Sequence, residues 1–417
     1  MHARETAILP AGGSLTGMMN GLIPSEPDDT SWNFNGANTQ YGTHGLHTYV
    51  AAMIPQLADR LIQMYVPKNG SVLDPFCGGG AVLVEAVRLN KPAAGRDIND
   101  LAVLISRAKT RHVPREQIED ARRGIIGKAL SYDGEVMQFG RWDYIDFWFK
   151  PYMLKPLTAL RHSIDEVTGT NRDLHTLFRT VFSRTVRDVS LTYRNEVRLR
   201  RMTPSEVERF NPDVLERFDE RAREAAERVS KLPAGSSADV GKGDVRRLPF
   251  RDGEFTTIIC SPPYGDERNG VNYTQFGKNM LLWLGYTRQD LMESKRGTLG
   301  WHKDGKTAPY SRTLAETLER IHDNEEAHRH AVTFYADYQI ALREMARVTS
   351  DRIIIVIGQR VLHNTVFDNG SITIDLMKNL DVPLEAHFHR QLPSKRLPKM
   401  RQFGAAIDRE SILVFRK

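Results

Sequence analysis

Cysteine is nearly absent, with two in 417 residues. That is too few for a disulfide framework, and the first twenty residues lack the apolar core of a secretory leader. A cytoplasmic location is expected. No stretch reaches the roughly 18 apolar residues of a membrane span; the densest run is 352–359. Repeats of about 20 to 50 residues and low-complexity tracts are missing too, which removes solenoids and propellers. Neither glycine (31) nor proline (20) is enriched, and 40% hydrophobic with 26% charged residues is the balance of a globular chain. Disordered, collagenous and coiled-coil classes are excluded. Lys+Arg 58 against Asp+Glu 52 leaves a formal charge of +6, which suits a polyanionic partner without requiring one.

At roughly 150 residues per domain, the length allows two or three domains, or one enlarged α/β domain with an insertion. The order of elements favours the second. A β-branched run at 71–74 enters a glycine loop, and 81–89 has the apolar spacing of a helix; a strand at 93–98 and a helix at 101–109 follow. This βαβα opening predicts a parallel sheet with flanking helices. From 114 to 232 the pattern turns helical and charged. Strand-like runs return at 238–244, 255–260, 352–357, 384–389 and 411–415, with a helix at 334–348 before the strand at 352. The expected architecture is a doubly wound α/β domain split by a helical insertion. Its parts are a cofactor-binding half over 1–112, the insertion over 113–235 as a DNA-contacting region, and a catalytic half with a basic C-terminal loop over 236–417.

The loop Asp74-Pro75-Phe76-Cys77-Gly78-Gly79-Gly80 sits between the first strand and its helix, where open α/β sheets bind ligands. A dinucleotide fingerprint needs a third glycine where Leu83 stands, and no Gly-Lys-Ser/Thr follows to hold phosphates. A nucleotide-like ligand poor in phosphate is expected. Asp97 closes the second strand, placed to accept bonds from ribose hydroxyls, and Asp244 closes the third along the same edge. At the end of the fourth strand stands Ser261-Pro262-Pro263-Tyr264. Two prolines fix an extended turn, remove two N–H donors and leave carbonyls free. Ser261 and the Pro262 carbonyl could accept both hydrogens of an exocyclic amine, drawing the nitrogen lone pair toward an electrophile. Tyr264 could stack on the ring of an extruded base, its ring mattering more than its hydroxyl.

The glycine loop together with Ser261–Tyr264 resembles motifs I and IV of the S-adenosylmethionine-dependent DNA amino-methyltransferases, which methylate cytosine N4 or adenine N6. Residues 44–62 are similar to the family's upstream cofactor segment, which implies a cofactor role for His47 and Tyr49, although Thr48 and Val50 stand where prolines are expected. Gly95–Asn99, with Asp97 and Ile98, resembles motif II, and Gly243-Asp244 resembles motif III near the cofactor adenine. Residues 273–285 and 390–417 are similar to the N4-cytosine branch, in which serine before Pro-Pro-Tyr is typical; Asp or Asn there is typical of adenine enzymes. The resemblance implies a seven-stranded, mostly parallel sheet, S-adenosylmethionine as cofactor and double-stranded DNA as partner, with a cognate restriction endonuclease as a genetic companion. Its implied cofactor residues are Asp74, Pro75, Phe76, Gly78, Gly80, Asp97, Ile98, Asp244 and His47. An N6-adenine enzyme, an RNA base methyltransferase and a non-catalytic nucleic-acid binder are the alternatives.

Methylation at cytosine C5 needs a thiolate nucleophile, and neither Cys77, in the glycine loop, nor Cys260, before Ser261, is placed as one. The His44/His47, His328/His330 and His387/His389 pairs lack metal-ligand spacing. No metal is expected. The segment 183–202 is rich in arginine, and Arg194, Arg198, Arg200 and Arg201 are expected on phosphates, with Lys395 and Arg396 of the C-terminal loop as a second clamp.

Overall fold

The computed structural model describes residues 30–193, 199–265, 273–302, 305–392 and 409–417. The chain begins with α1 (Pro55–Tyr65), β1 (Val72–Asp74), α2 (Ala81–Arg88), β2 (Ala93–Asp97) and α3 (Asp100–Thr110). A helical segment follows, comprising α4 (Arg115–Leu130), α5 (Ile145–Trp148), α6 (Pro151–Thr168), α7 (Arg172–Val189), α8 (Pro204–Arg209) and α9 (Val214–Val229). The strands resume with β3 (Asp239–Lys242) and β4 (Phe255–Cys260), and the chain continues through α10 (Tyr273–Trp283), α11 (Arg288–Arg296), α12 (Arg312–Glu319) and α13 (Glu325–Val348). It closes with β5 (Thr349–Gly358), the hairpin β6 (Arg360–Leu362) and β7 (Thr365–Phe367), α14 (Asn369–Lys378), β8 (Leu384–Gln391) and β9 (Arg409–Arg416).

One sheet of seven strands runs in the order β3-β2-β1-β4-β5-β9-β8. The first five are parallel, and β9 lies between β5 and β8, antiparallel to both. The doubly wound α/β fold is therefore present, and every strand-like run of the sequence becomes one of its strands. Side chains alternate between the two faces of a strand, and the burial follows. Leu73, Ile258, Ile353, Ile355 and Leu413 pack toward α13 and α14, while Val72, Ile259, Ile354, Val356 and Val414 pack toward α1 and α2. Both faces are covered, which is why the central strands read as continuous apolar runs rather than alternating ones.

Residues 115–229 share one core with the sheet's own helices. Phe149, Leu157, Phe178 and Phe218 are buried in the same cluster as Leu101 and Ile105 of α3 and Phe276 and Trp283 of α10. The insertion is thus packed onto the sheet domain along α3 and α10. Helix α7 starts at Asn171, whose side chain accepts from the backbone N–H groups of Asp173 and Leu174, satisfying donors the first turn leaves open. No helix among the described residues is long and apolar enough to cross a membrane.

Candidate active site

Parallel register brings distant acids to one edge. Val72 faces Thr257 and Leu73 faces Ile258, so the loop after Asp74 emerges beside Cys260 and Ser261. Asp74 faces Gly95, and Asp97 faces Lys242 two residues before Asp244. These carboxyl ends open into a cleft of about 1010 Å³, including its solvent-open mouth. Of the residues singled out in the sequence, Asp74, Pro75, Phe76, Gly78, Asp97, Ile98, Asp244, Ser261 and Pro263 line it, while His47, Gly80, Pro262 and Tyr264 do not.

The glycine loop is held by backbone geometry. Gly78 and Gly80 have φ of +47° and +78°, the left-handed region that favours glycine. Gly80 also lies so close to α3 that a Cβ would stand 2.9 Å from Ser106 Oγ; its part is to close the turn, and it does not itself line the cleft. Ser106 Oγ donates to the Gly78 carbonyl (2.7 Å), and Gly78 N–H donates to Asp97 Oδ2 (2.8 Å). Asn99 N–H donates to Asp97 Oδ1 (2.8 Å), and the Asn99 side chain in turn caps α3. Asp97 therefore ties two loops together. Where a third fingerprint glycine would sit, Leu83 is fully buried, and the strand supplies the clearance instead: a Cβ on Gly95 would fall 2.4 Å from Leu83 Cδ1.

Burial pushes the Asp74 carboxyl up to about 8, with the charge of Asp97 adding to the rise and the Phe76 N–H opposing it. Burial likewise raises Asp97 to about 6, against the backbone donors that favour its ionised form. Asp244 is gripped by Arg246, whose Nη2 lies 2.6 Å from Oδ2, and Arg246 also meets Asp337 at 3.0 Å. The described cleft-lining residues include three aspartates and no lysine, arginine or histidine. Such a site suits a cationic, phosphate-free nucleoside, and a sulfonium cofactor fits that description. No group of three or more His, Cys, Asp or Glu among the described residues is arranged to hold a metal.

Residues beyond those expected complete the walls. Tyr273 lines the cleft and stacks, centroids 6.1 Å apart, on Tyr49, the cleft residue that the upstream segment indicates; Ser294, Gly297, Thr298 and Leu299 line it around Ile98. His47 departs from expectation. It is buried behind the wall, its Nδ1 meeting the Thr48 carbonyl (2.7 Å) and its Nε2 meeting Ser183 Oγ on α7 (3.0 Å). Burial lowers its pKa well below the usual range, with Arg184 next in effect. His47 anchors the upstream segment to α7, and its neighbours from Tyr49 to Met53 are the ones that face the cleft.

At the other end, Pro262 is buried beneath Ser261 and Pro263. The Tyr264 ring lies against Gly358, where a Cβ would fall 2.6 Å from Cε2. Its hydroxyl donates to Glu410 Oε1 (2.7 Å), and Arg390 pairs with Glu410 at 3.3 Å. The tyrosine hydroxyl is thus committed to Glu410 and holds the ring in place. Cys77 and Cys260 are both buried free thiols whose pKa burial raises well above the usual range.

The basic segment divides. Arg184 and Arg221 converge on buried Asp188, and Arg187 lies over the Phe276 ring at 4.5 Å. Thr192 and Arg201 form a bridge, Arg200 is exposed over Tyr193, and Arg201 Nε donates to the Phe147 carbonyl (2.8 Å). Arg194, Arg198, Lys395 and Arg396 lie outside the described residues. The flanks of the C-terminal loop, Gln391 and Arg409, pair across β8 and β9 next to Glu410.

The doubly wound sheet and the acid-lined cleft at its carboxyl edge define an S-adenosylmethionine-dependent methyltransferase. Residues 24–107 match the N6/N4 methyltransferase family described as DNA methylase. Across 402 residues the chain is 30% identical to the Type II methyltransferase M.MvaI of Kocuria varians, over 88% of this chain and 87% of that protein. It belongs to the DNA amino-methyltransferase family, with S-adenosylmethionine as its methyl donor. A shorter match, 25% over 89 residues, links it to the Type II methyltransferase M.MjaII of Methanocaldococcus jannaschii, over 21% of this chain and 17% of that one. Among solved structures it is similar to an SAM-dependent methyltransferase of Methanosarcina mazei, at TM-score 0.32 and 8% identity over 86% of this chain and 96% of that one. It is also similar to the rRNA methyltransferase aviRa of Streptomyces viridochromogenes, at TM-score 0.30 and 11% identity over 89% and 88%.

Proposed function

We propose that this chain is a Type II DNA methyltransferase that methylates the exocyclic amine of a flipped base, cytosine N4, in duplex DNA. The observation that carries the reading is the placement of Ser261 on the cleft wall shared with Asp74 and Asp97, following a buried strand and followed by a tyrosine whose position is fixed. Asp97 is assigned to the ribose, Ile98 and Phe76 to the adenine faces, Asp244 to the adenine edge, and the Asp74 carboxyl to the cationic part of the cofactor. When bound, S-adenosylmethionine supplies an electrophilic methyl group on a sulfonium. Ser261 Oγ and the Pro262 carbonyl accept the amine hydrogens and localise the nitrogen lone pair; the N–CH₃ bond would form as the S–CH₃ bond breaks, the electron pair staying on sulfur, and the surplus amine proton passes to solvent. Tyr264, held by Glu410, offers its ring to the base.

Serine before Pro-Pro-Tyr supports cytosine over adenine, and two buried thiols of raised pKa speak against covalent attack at C5. DNA contacts are assigned to Arg200 and Arg201 together with Arg194 and Arg198, and to Lys395 and Arg396 in the chain between Gln391 and Arg409. Incubation with tritiated cofactor and duplex DNA or tRNA, followed by mass spectrometry of the nucleosides, tests the reading. N4-methylcytosine from DNA is the expected product. N6-methyladenine would move the chain to the adenine branch, and label in tRNA alone would overturn the DNA assignment.

A further inference from the structure

The cleft lining holds three aspartates and no base, yet a cofactor ending in an amino acid brings a carboxylate as well as a cation. One buried cation lies within reach. Lys109, near the end of α3, is only 4% exposed. Ser106, one turn earlier on the same helix face, already binds the Gly78 carbonyl, and side chains of a helix lean toward its N-terminus. The lysine stem therefore runs up toward the glycine loop. Its Nζ lies 3.9 Å from the place where a Cβ of Gly79 would be, a position that also falls 2.8 Å from Tyr49 Cβ. Both Gly79 and Tyr49 line the cleft.

No acid balances this lysine among the described residues. Neighbouring Glu85 is taken by His44, Tyr41 and Arg88, and Asp188 is taken by Arg184 and Arg221. Burial lowers the Lys109 pKa to about 7, and Arg184 and Arg228 push it the same way. A buried, uncompensated lysine is rare in a structural role, and an anion is what it lacks.

We infer that Lys109 is a cofactor-binding residue that neutralises the carboxylate of the methionyl end of S-adenosylmethionine across the bare backbone of Gly79, where Tyr49 packs too closely for any side chain. This rests on the cofactor reading of the cleft given above, and the two are separable by experiment. Affinities of the full-length protein and of Lys109→Met are measured by calorimetry for S-adenosylmethionine, decarboxylated S-adenosylmethionine and 5′-methylthioadenosine. Methionine keeps the apolar stem, and thermal unfolding checks that the variant is folded. The expected result is at least a tenfold loss of S-adenosylmethionine affinity in Lys109→Met, with the two probes lacking the carboxylate bound as by the unaltered protein. The unaltered protein should itself prefer S-adenosylmethionine over the decarboxylated form by a similar factor. Equal binding of S-adenosylmethionine by both proteins, or an equal loss for all three probes, overturns the assignment of Lys109 and leaves the cleft reading in place. Failure of the unaltered protein to bind 5′-methylthioadenosine and S-adenosylmethionine alike overturns the cleft reading itself.

Discussion

The Tyr264 hydroxyl donates to Glu410 Oε1 across 2.7 Å, and sheet register makes this contact. Glu410 of β9 stands opposite Gly358 of β5 on one side and Arg390 of β8 on the other. The tyrosine ring rests on Gly358, while Arg390, 5% exposed, balances the carboxylate. Tyr264→Phe strips a partly buried carboxylate of its donor and should destabilise the protein by about 1 to 3 kcal/mol. Glu410→Gln leaves Arg390 buried without its counter-charge and should lose about 3 to 5 kcal/mol. Urea unfolding measures both, and stability of Tyr264→Phe equal to the parent would show that the network adds nothing to folding.

Ser261→Ala should act on rate alone. The hydroxyl accepts a hydrogen bond that strengthens as the amine nitrogen pyramidalises, so single-turnover methyl transfer should slow while cofactor and DNA affinities hold. A 5-fluorocytosine duplex should form no covalent adduct, because the amine attacks the methyl group directly. Trapping of such an adduct on a denaturing gel contradicts the mechanism.

Asp97→Ala should weaken S-adenosylmethionine binding by roughly 1.5 to 3 kcal/mol, the range for removal of a charge-assisted hydrogen bond. It also releases the Gly78 and Asn99 N–H groups, so the glycine loop should become more accessible to hydrogen exchange. Unchanged affinity in a calorimetric titration removes Asp97 from the cofactor site.

Protonation of the acid cluster sets a pH window. Asp74 rises from 3.8 to about 8 in the folded protein and Asp97 to about 6, so the native state holds protons that the unfolded chain has released. Their contribution to stability is full below about pH 4 and declines as pH climbs to 8. The cofactor-free protein should melt at a lower temperature at pH 8 than at pH 6, and Asp74→Asn should flatten the difference. Affinity for decarboxylated S-adenosylmethionine, which is cationic and makes no use of Lys109, should move the opposite way, rising from pH 6 to pH 8 as the Asp74 and Asp97 carboxyls ionise. Parallel pH dependence in the Asp74→Asn variant would contradict the origin assigned to it.

Arginines of the 183–202 segment should fall into two classes. Replacing Arg200 and Arg201 should flatten the log-log salt dependence of DNA binding by about one unit for each phosphate that is no longer neutralised. Arg184→Ala, and equally Arg221→Ala on the neighbouring α9, uncovers Asp188 and should instead reduce stability by about 1 to 3 kcal/mol with the salt slope unchanged. An unaltered slope for Arg200→Ala/Arg201→Ala returns those residues to an ordinary solvated surface.

The sequence disclosed those parts of the site that depend on short-range order. Asp74, Asp97 and Asp244 each end a strand or sit just past one, and a parallel sheet brings such ends together, so spacing alone placed them. What it hid depends on register and direction. Nothing in residues 411–415 says that the strand runs antiparallel between two others, and only that placement brings Glu410 to Tyr264. His47 and Tyr49 lie two residues apart in the chain and look equally suited to a ligand; packing of α7 through Ser183 turns one inward and leaves the other on the cleft. Lys109 gives no signal in the sequence beyond ending the helical run 101–109, because the segment that packs against it, around Thr43 and Tyr49, lies 60 or more residues earlier. The hairpin of β6 and β7 is too short for its periodicity to register.

Placing β9 inside the sheet also orders events during synthesis. The ribosome makes β9 after every other strand of the sheet, while β8 has no partner in the sheet except β9. Until β9 emerges, β5 ends in an open edge and the tyrosine has no carboxylate to hold it, although the cofactor loop, built from residues 74–106, is long complete. Domains assemble as their segments leave the ribosome. The nascent chain therefore holds every cleft-lining residue before it holds the carboxylate that fixes Tyr264, and a translation product stopped before Arg409 would lack both that carboxylate and the strand that joins β5 to β8.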